Sequence, residues 1–141
     1  MSSIIRAKKG SWFLGVCKGL EKSNRGNVFL ELRRFEDALE DYNKTISIWP
    51  DCSDAINNRG TVYQQLERYE DALRDFDTAL KLDPSSKETL NNRGNTLKRL
   101  GRYKESIADY NKALSIAPEQ AVTINNRGLS LEQLGQYTEA L

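Results

Sequence analysis

The sequence predicts an all-α solenoid of helix-turn-helix units, because it repeats itself at one fixed interval. The string Asn-Asn-Arg-Gly occurs three times, and a variant that begins with serine precedes them. The last residues of these four strings lie 34 residues apart: Gly26, Gly60, Gly94 and Gly128. The prolines keep the same interval: Pro50, Pro84 and Pro118. Two markers in phase at this length are typical of a stacked array of helical repeats.

The first half of each unit is predicted to be one helix, as the second copy shows. Its apolar and small residues lie three or four positions apart, which places them on one helix face: Ile56, Gly60, Tyr63 and Leu66. The pattern loses its phase after Leu66. We therefore expect the first helix to end there.

A second helix is predicted to follow after a tight turn. In the second copy its apolar stripe begins at Tyr69 and reaches Leu82. It stops before Pro84, since proline cannot continue the helix that precedes it. Each unit is therefore a pair of antiparallel helices.

The turn between the two helices should require a residue in the left-handed conformation. Copies three and four hold Gly101 and Gly135 there, which suit a left-handed helix C-terminus. Copies one and two hold Arg33 and Glu67, which should lower stability slightly.

Small residues recur where the two helices of a unit should approach each other. On the first helix they are the glycines of the repeated string. On the second helix they are Ala38, Ala72, Ser106 and Ala140. One hairpin cannot bury both of its faces, so the units should stack.

These residues resemble the tetratricopeptide repeat, whose pattern is Trp-x2-Leu-Gly-x2-Tyr, then Ala-x3-Phe, then Pro. The matching residues of the second copy are Ile56 at the Trp position, Gly60, Tyr63, Ala72, Phe76 and Pro84. The resemblance covers residues 19–141 as four copies: 19–52, 53–86, 87–120 and the partial copy 121–141. It implies a right-handed superhelix with a concave groove. Residues 1–18 fall outside it and form a basic N-terminal segment, which we expect to be partly disordered or to cap the array.

Every copy departs from that pattern at the Leu position, which holds an arginine: Arg25, Arg59, Arg93 and Arg127. Each complete copy carries an aspartate 16 residues later: Asp41, Asp75 and Asp109. We expect structural ion pairs, within a repeat or to the neighbouring one, with the arginine stem packed on apolar surface. The alternative is that the arginines bind a carboxylate or phosphate of a ligand.

The resemblance implies that the first helices form a concave wall that binds a partner. Carried over by position, the predicted binding residues are Asn27, Asp54, Asn57, Thr61, Gln64, Glu88, Asn91, Asn95, Lys98, Arg99, Asn125 and Leu129. Asn57, Asn91 and Asn125 share one position, and such a ladder of amides can hold an extended peptide backbone without selecting its side chains. The alternative is that these asparagines face solvent or cap local backbone.

The same wall argues against one partner of the family. The clamp that grips the C-terminal carboxylate of heat-shock chaperones needs cations at positions that here hold Ser23, Glu88 and Asn92. We therefore expect no such partner. Lys98 and Arg99 are the only basic pair on the wall and favour an acidic side chain.

Composition excludes several other functions. The sequence has no histidine, the usual general base and the commonest metal ligand, so we expect no catalysis, no cofactor and no metal site. Its 21 basic and 20 acidic residues are balanced, which disfavours nucleic acid. No apolar run approaches the roughly 18 residues of a membrane span. Cys17 and Cys52 are expected to be reduced, which suits a cytoplasmic protein.

The last residues, Tyr137 to Leu141, read as the beginning of one more second helix. They leave the apolar side chains of copy four without a covering layer. Either the chain is a fragment of a longer array, or this end docks on another chain or on a copy of itself.

We expect a non-enzymatic scaffold that binds a peptide or helix of a partner protein in the concave groove. The alternative is a regulatory or substrate-binding arm, a fragment of a larger enzyme or of a multi-repeat protein.

Overall fold

The structure is a computed structural model that describes residues 32–140, with side chains to residue 136. This part of the chain forms six helices and no strand. The helices are α1 Phe35–Ile48, α2 Ser53–Gln65, α3 Tyr69–Leu82, α4 Lys87–Arg99, α5 Tyr103–Ile116 and α6 Ala121–Ala140. None of the six combines the length and the apolarity that crossing a bilayer requires. Asn27, Arg25, Ser23 and the segment 1–18 lie outside the described residues.

The helices stack in chain order, which confirms the predicted all-α solenoid. Each helix packs against the next one, and the first helices α2, α4 and α6 also touch one another. Helix α1 is the second helix of copy one, α2 and α3 form copy two, and α4 and α5 form copy three. This order places the first helices side by side along one wall of the array.

The turns confirm the predicted left-handed positions in copies one to three. The backbone φ angles are 59° at Arg33, 60° at Glu67 and 77° at Gly101. Two residues of the described turns close the helix ends: the Arg68 amide donates to the Tyr63 carbonyl at 2.8 Å, and the Arg102 amide donates to the Leu97 carbonyl at 2.9 Å. These bonds satisfy carbonyls that the last helical turn leaves unpaired.

The turn predicted at Gly135 is wrong, because α6 continues through this residue to Ala140. A glycine inside a helix lowers stability by only about 1 kcal/mol. Starting a separate short helix is more unfavourable, since the first turn fixes several residues for one hydrogen bond. Copy four therefore presents one long helix where the sequence predicts a hairpin.

The core confirms the predicted close approach of the two helices in copies two and three. A Cβ atom placed on Gly60 would lie 2.7 Å from the Phe76 ring, and one on Gly94 would lie 2.7 Å from the Tyr110 ring. Both rings are completely buried. In copy four nothing lies within 4 Å of such an atom on Gly128, because α6 does not turn back over it.

Cys52 corrects the expectation that the cysteines are reduced. Its side chain is completely buried at the start of α2, and its sulfur is disulfide-bonded. The number of cysteines and their separation in sequence do not fix their distance in a fold, which is why the expectation fails here. Cys17 lies outside the described residues, and the cytoplasmic location stays a prediction.

Candidate functional site

The largest polar cleft of the described residues lies on the wall formed by the first helices. It has a volume of about 610 Å³ and is here named the amide groove. Its lining comes from α2, α4, α6 and two turns: Arg33, Thr61, Gln64, Gln65, Glu67, Tyr69, Asn92, Asn95, Lys98, Arg99 and Asn126. The wall positions these side chains because adjacent first helices touch.

Five of the predicted binding residues line the amide groove: Thr61, Gln64, Asn95, Lys98 and Arg99. Six others do not line it: Asp54, Asn57, Glu88, Asn91, Asn125 and Leu129. The sequence analysis missed Asn126 as a lining residue and assigned Asn92 only to the chaperone clamp. Both could have been found from the same string, since they are its second asparagine.

The two asparagines of the string point in different directions. Asn57 is only 9% exposed, and its Oδ1 accepts a hydrogen bond from Asn92 Nδ2 at 3.2 Å. The same Asn92 nitrogen lies 3.5 Å from Thr61 Oγ1. Consecutive residues of a helix are about 100° apart. The first asparagine of copy two is therefore turned into the contact between α2 and α4, while Asn92 and Asn126 face the groove.

The remaining members of the predicted ladder differ from one another. Asn91 is half-buried, and its Oδ1 has no hydrogen-bond partner among the described residues. Asn125 is exposed to solvent. The three positions are thus equivalent in sequence and unequal in structure, because α6 packs against fewer helices than α2 and α4 do.

The electrostatics of the amide groove favour an anion. Three cations and one carboxylate line it, and the cations Lys98 and Arg99 are neighbours on α4. Burial lowers the pKa of Lys98, and the positive charge of Arg99 lowers it further. A carboxylate bound here would relieve the repulsion between these two cations and would be held by charge-assisted hydrogen bonds.

The arginines of the string lie elsewhere, between the helices of each copy. Arg59 donates to both oxygens of Asp75 at 2.8 Å. Arg93 does the same with Asp109 at 2.8 Å. The aspartates are largely buried, and these hydrogen bonds raise the pKa of both guanidinium groups, so the arginines stay charged. The predicted pairing is present in copies two and three, and Arg25, the partner predicted for Asp41, lies outside the described residues.

Each arginine also reaches back to the preceding copy, which the sequence analysis missed. The Nη1 atoms donate to side-chain oxygens on the second helix before: Arg59 to Asn43 at 3.0 Å, Arg93 to Asp77 at 2.9 Å, and Arg127 to Asn111 at 2.9 Å. The signal was available, because these acceptors lie 16 residues before each arginine. We call this series of contacts the arginine bridges.

A second cleft, of about 510 Å³, lies beside the arginine bridge of copy three. Its charged groups are already paired with one another. Arg93 bonds Asp77 and Asp109, and Arg102 bonds Glu105 at 2.6 Å. This cleft therefore offers fewer free polar groups than the amide groove.

Comparisons with known proteins agree with this geometry. The family model described as "Tetratricopeptide repeat" matches residues 21–85, 51–119 and 85–141. No curated protein sequence matches the chain at a significant level.

Solved structures of similar fold are numerous, and three of them illustrate the likeness. The first TPR domain of human RPAP3 has a TM-score of 0.82 at 20% identity, over 90% of this chain and 98% of that one. The first TPR of Spaghetti (RPAP3), bound to the HSP90 peptide SRMEEVD, has a TM-score of 0.78 at 22% identity, over 81% and 90%. The second TPR domain of human RPAP3, in complex with the HSP70 peptide SGPTIEEVD, has a TM-score of 0.73 at 25% identity, over 78% and 92%.

Proposed function

We propose a function from one premise: the chain belongs to the tetratricopeptide repeat family, whose model matches it from residue 21 to residue 141. The protein acts as a protein-interaction scaffold. Its partner contributes an extended peptide or a helix that lies in the amide groove, and the scaffold performs no catalysis itself.

The observation that carries this proposal is the lining of the groove. Five side-chain amides lie there, from Gln64, Gln65, Asn92, Asn95 and Asn126. An amide both donates and accepts hydrogen bonds, as a peptide backbone does. Amides from three successive first helices can therefore follow an extended chain along the wall.

The basic pair gives the groove its selectivity. Lys98 and Arg99 stand at one end of α4 and face the same cleft as the amides. An aspartate, a glutamate or a terminal carboxylate of the peptide would lie beside them. The amides set the direction of the peptide, and the cations set its register.

The groove differs from what a chaperone-type clamp needs. Two TPR domains of similar fold are bound to peptides that end in EEVD. In this chain the clamp positions hold Glu88, which is exposed, and Asn92, which is bonded to Asn57. A carboxylate at these positions would meet another carboxylate and an amide, so we expect the chain to bind such peptides weakly or not at all.

The test is selection of peptides from a phage-displayed random library on the immobilised chain. Enriched peptides are then synthesised, and their affinities are measured by fluorescence anisotropy. We expect acidic peptides that lose about tenfold in affinity or more with Lys98→Gln/Arg99→Gln, as expected when charge-assisted hydrogen bonds are removed. The two EEVD peptides above serve as a second set of ligands.

Adjacent residues of α6 supply a matched pair of variants. Asn126→Ala removes an amide of the groove, whereas Asn125→Ala removes an exposed amide outside it. Only the first should weaken binding. Affinities that are unchanged by all the groove variants, or that fall equally with Asn125→Ala, would place the binding site elsewhere.

A further inference from the structure

One face of α6 is open although the same face is covered in earlier copies. Ile56 and Leu90 are 3% and 0% exposed, but the equivalent Ile124 is 45% exposed. Leu97 is 4% exposed, but the equivalent Leu131 is 51% exposed. In copies two and three these positions face the second helix of their own copy.

The opposite face of α6 is covered as in earlier copies. Thr123 and Ser130 are completely buried, and Ser130 Oγ lies 3.0 Å from Ser106 Oγ on α5. Helix α6 is therefore docked on copy three in the usual way. What it lacks, among the described residues, is the helix that would follow it.

Arg127 on the open face is only half engaged. It keeps the bond from Nη1 to Asn111 at 2.9 Å. In Arg59 and Arg93 the remaining edge of the guanidinium group, Nε and Nη2, binds both oxygens of an aspartate. The corresponding edge of Arg127 binds no carboxylate in the described part of the chain.

Gly128 leaves a notch beside that arginine. A Cβ atom on Gly128 would meet nothing within 4 Å, whereas the same atom on Gly60 or Gly94 would lie 2.7 Å from an aromatic ring. The notch has the place that Phe76 and Tyr110 fill in the earlier copies. An unfilled cation and an unfilled aromatic site thus lie side by side.

We propose that this surface, the α6 docking face of Ile124, Arg127, Gly128 and Leu131, binds an amphipathic helix of a partner protein. The helix carries a small residue, then an aspartate three positions later, and then an aromatic residue. The aspartate binds the free edge of Arg127, and the ring fills the notch over Gly128.

The chain itself defines this occupant twice. Helix α3 covers α2 with Ala72, Asp75 and Phe76. Helix α5 covers α4 with Ser106, Asp109 and Tyr110. In both cases the small residue and the ring are completely buried, and the aspartate is 6% exposed. The same three residues at the same spacing therefore complement the arginine, the glycine and the apolar side chains that α6 repeats.

The test uses the complete chain and a labelled peptide with the sequence of α3, residues 69–82, blocked at both ends. We expect saturable binding in a fluorescence anisotropy titration. The peptide changes Asp75→Asn and Phe76→Ala should each weaken binding about tenfold or more, since each removes a charge-assisted bond or the filling of the notch. Isolated helices of this length are marginal in water, so the peptide should gain helicity on binding.

Variants of the chain locate the peptide. Arg127→Met removes the cation, and Gly128→Ala fills the notch without a clash in the free chain. Each should weaken binding about tenfold, whereas Lys98→Ala in the amide groove should leave it unchanged. Circular dichroism of each variant shows that it remains folded.

Three outcomes would overturn the proposal. They are no saturable binding up to about 1 mM peptide, binding that survives both α6 variants, and binding that is lost with Lys98→Ala. The last of these would move the peptide to the amide groove and would leave the proposed function intact.

Discussion

Glycines at one position of the repeat have different surroundings in successive copies. Gly94 lies against the buried ring of Tyr110, while Gly128 faces open space. Alanine favours a helix by about 1 kcal/mol over glycine, but overpacking a core costs about 1–3 kcal/mol. We expect Gly94→Ala to lower the free energy of unfolding and Gly128→Ala to raise it, as measured by urea denaturation. A decrease for both variants would mean that α6 is covered at Gly128.

The arginine bridges allow a second test at the scale of one residue. Arg93→Met should lower the free energy of unfolding by about 3 kcal/mol, because it leaves the buried carboxylate of Asp109 without its cation. Arg93→Met/Asp109→Leu should recover part of this loss, since it removes the carboxylate as well. If Arg93→Met left stability unchanged but abolished peptide binding, the arginine would serve a ligand and not the fold.

At the scale of the element, the turns show how a residue can be unfavourable and still tolerated. Glu67 has a φ of 60° where Gly101, one copy later, has 77°. The left-handed conformation costs a residue with a side chain about 1–2 kcal/mol. Glu67→Gly should therefore raise the midpoint of thermal unfolding, and Gly101→Ala should lower it. Shifts of the same sign for the two substitutions would contradict this account.

The bounds of the elements could largely be predicted, because they depend on local chemistry. The apolar stripe from Tyr69, the proline after each second helix and the position of the turn residue determine where α3 and α5 begin and end. The pairing of Arg59 with Asp75 was also predictable, since both its partners and its spacing recur. The continuation of α6 through Gly135 was not, because it depends on the balance between one glycine in a helix and a new helix nucleus.

The orientation of the asparagines could not be predicted either. Asn57 and Asn58 differ by one residue, and the side that each faces depends on how α2 is rotated between its neighbours. Packing against both α1 and α4 sets that rotation, and the spacing of the string does not contain it. Placement in the groove was therefore right for Thr61 and Lys98 and differed for the first asparagine.

At the scale of the whole molecule, the buried tyrosines make stability sensitive to alkaline pH. Burial raises the pKa of Tyr42 and Tyr110 above the ordinary value of 10.0, and the nearby carboxylates of Asp41 and Asp109 act in the same direction. The folded state therefore keeps these phenols neutral, while the unfolded chain loses their protons near pH 10. Their contribution is complete below pH 10.0 and is lost as the pH rises above that value.

Urea denaturation at a series of pH values measures this loss. The variant Tyr42→Phe/Tyr110→Phe should show a smaller decrease of the unfolding free energy above pH 10 than the original chain. Phenylalanine suits the site, because Phe76 holds the same position in copy two. Equal pH slopes for the two chains would show that the tyrosines do not titrate on unfolding.

The arginine bridges also determine how the array should respond to mechanical tension. Arg93 holds copies two and three together through a carboxylate on each side, Asp77 and Asp109. At the two neighbouring boundaries the acceptor on the earlier copy is a neutral amide, Asn43 or Asn111. A chain stretched between its ends should therefore shed its outer helices first, and the pair of copies that Arg93 joins should be the last to extend.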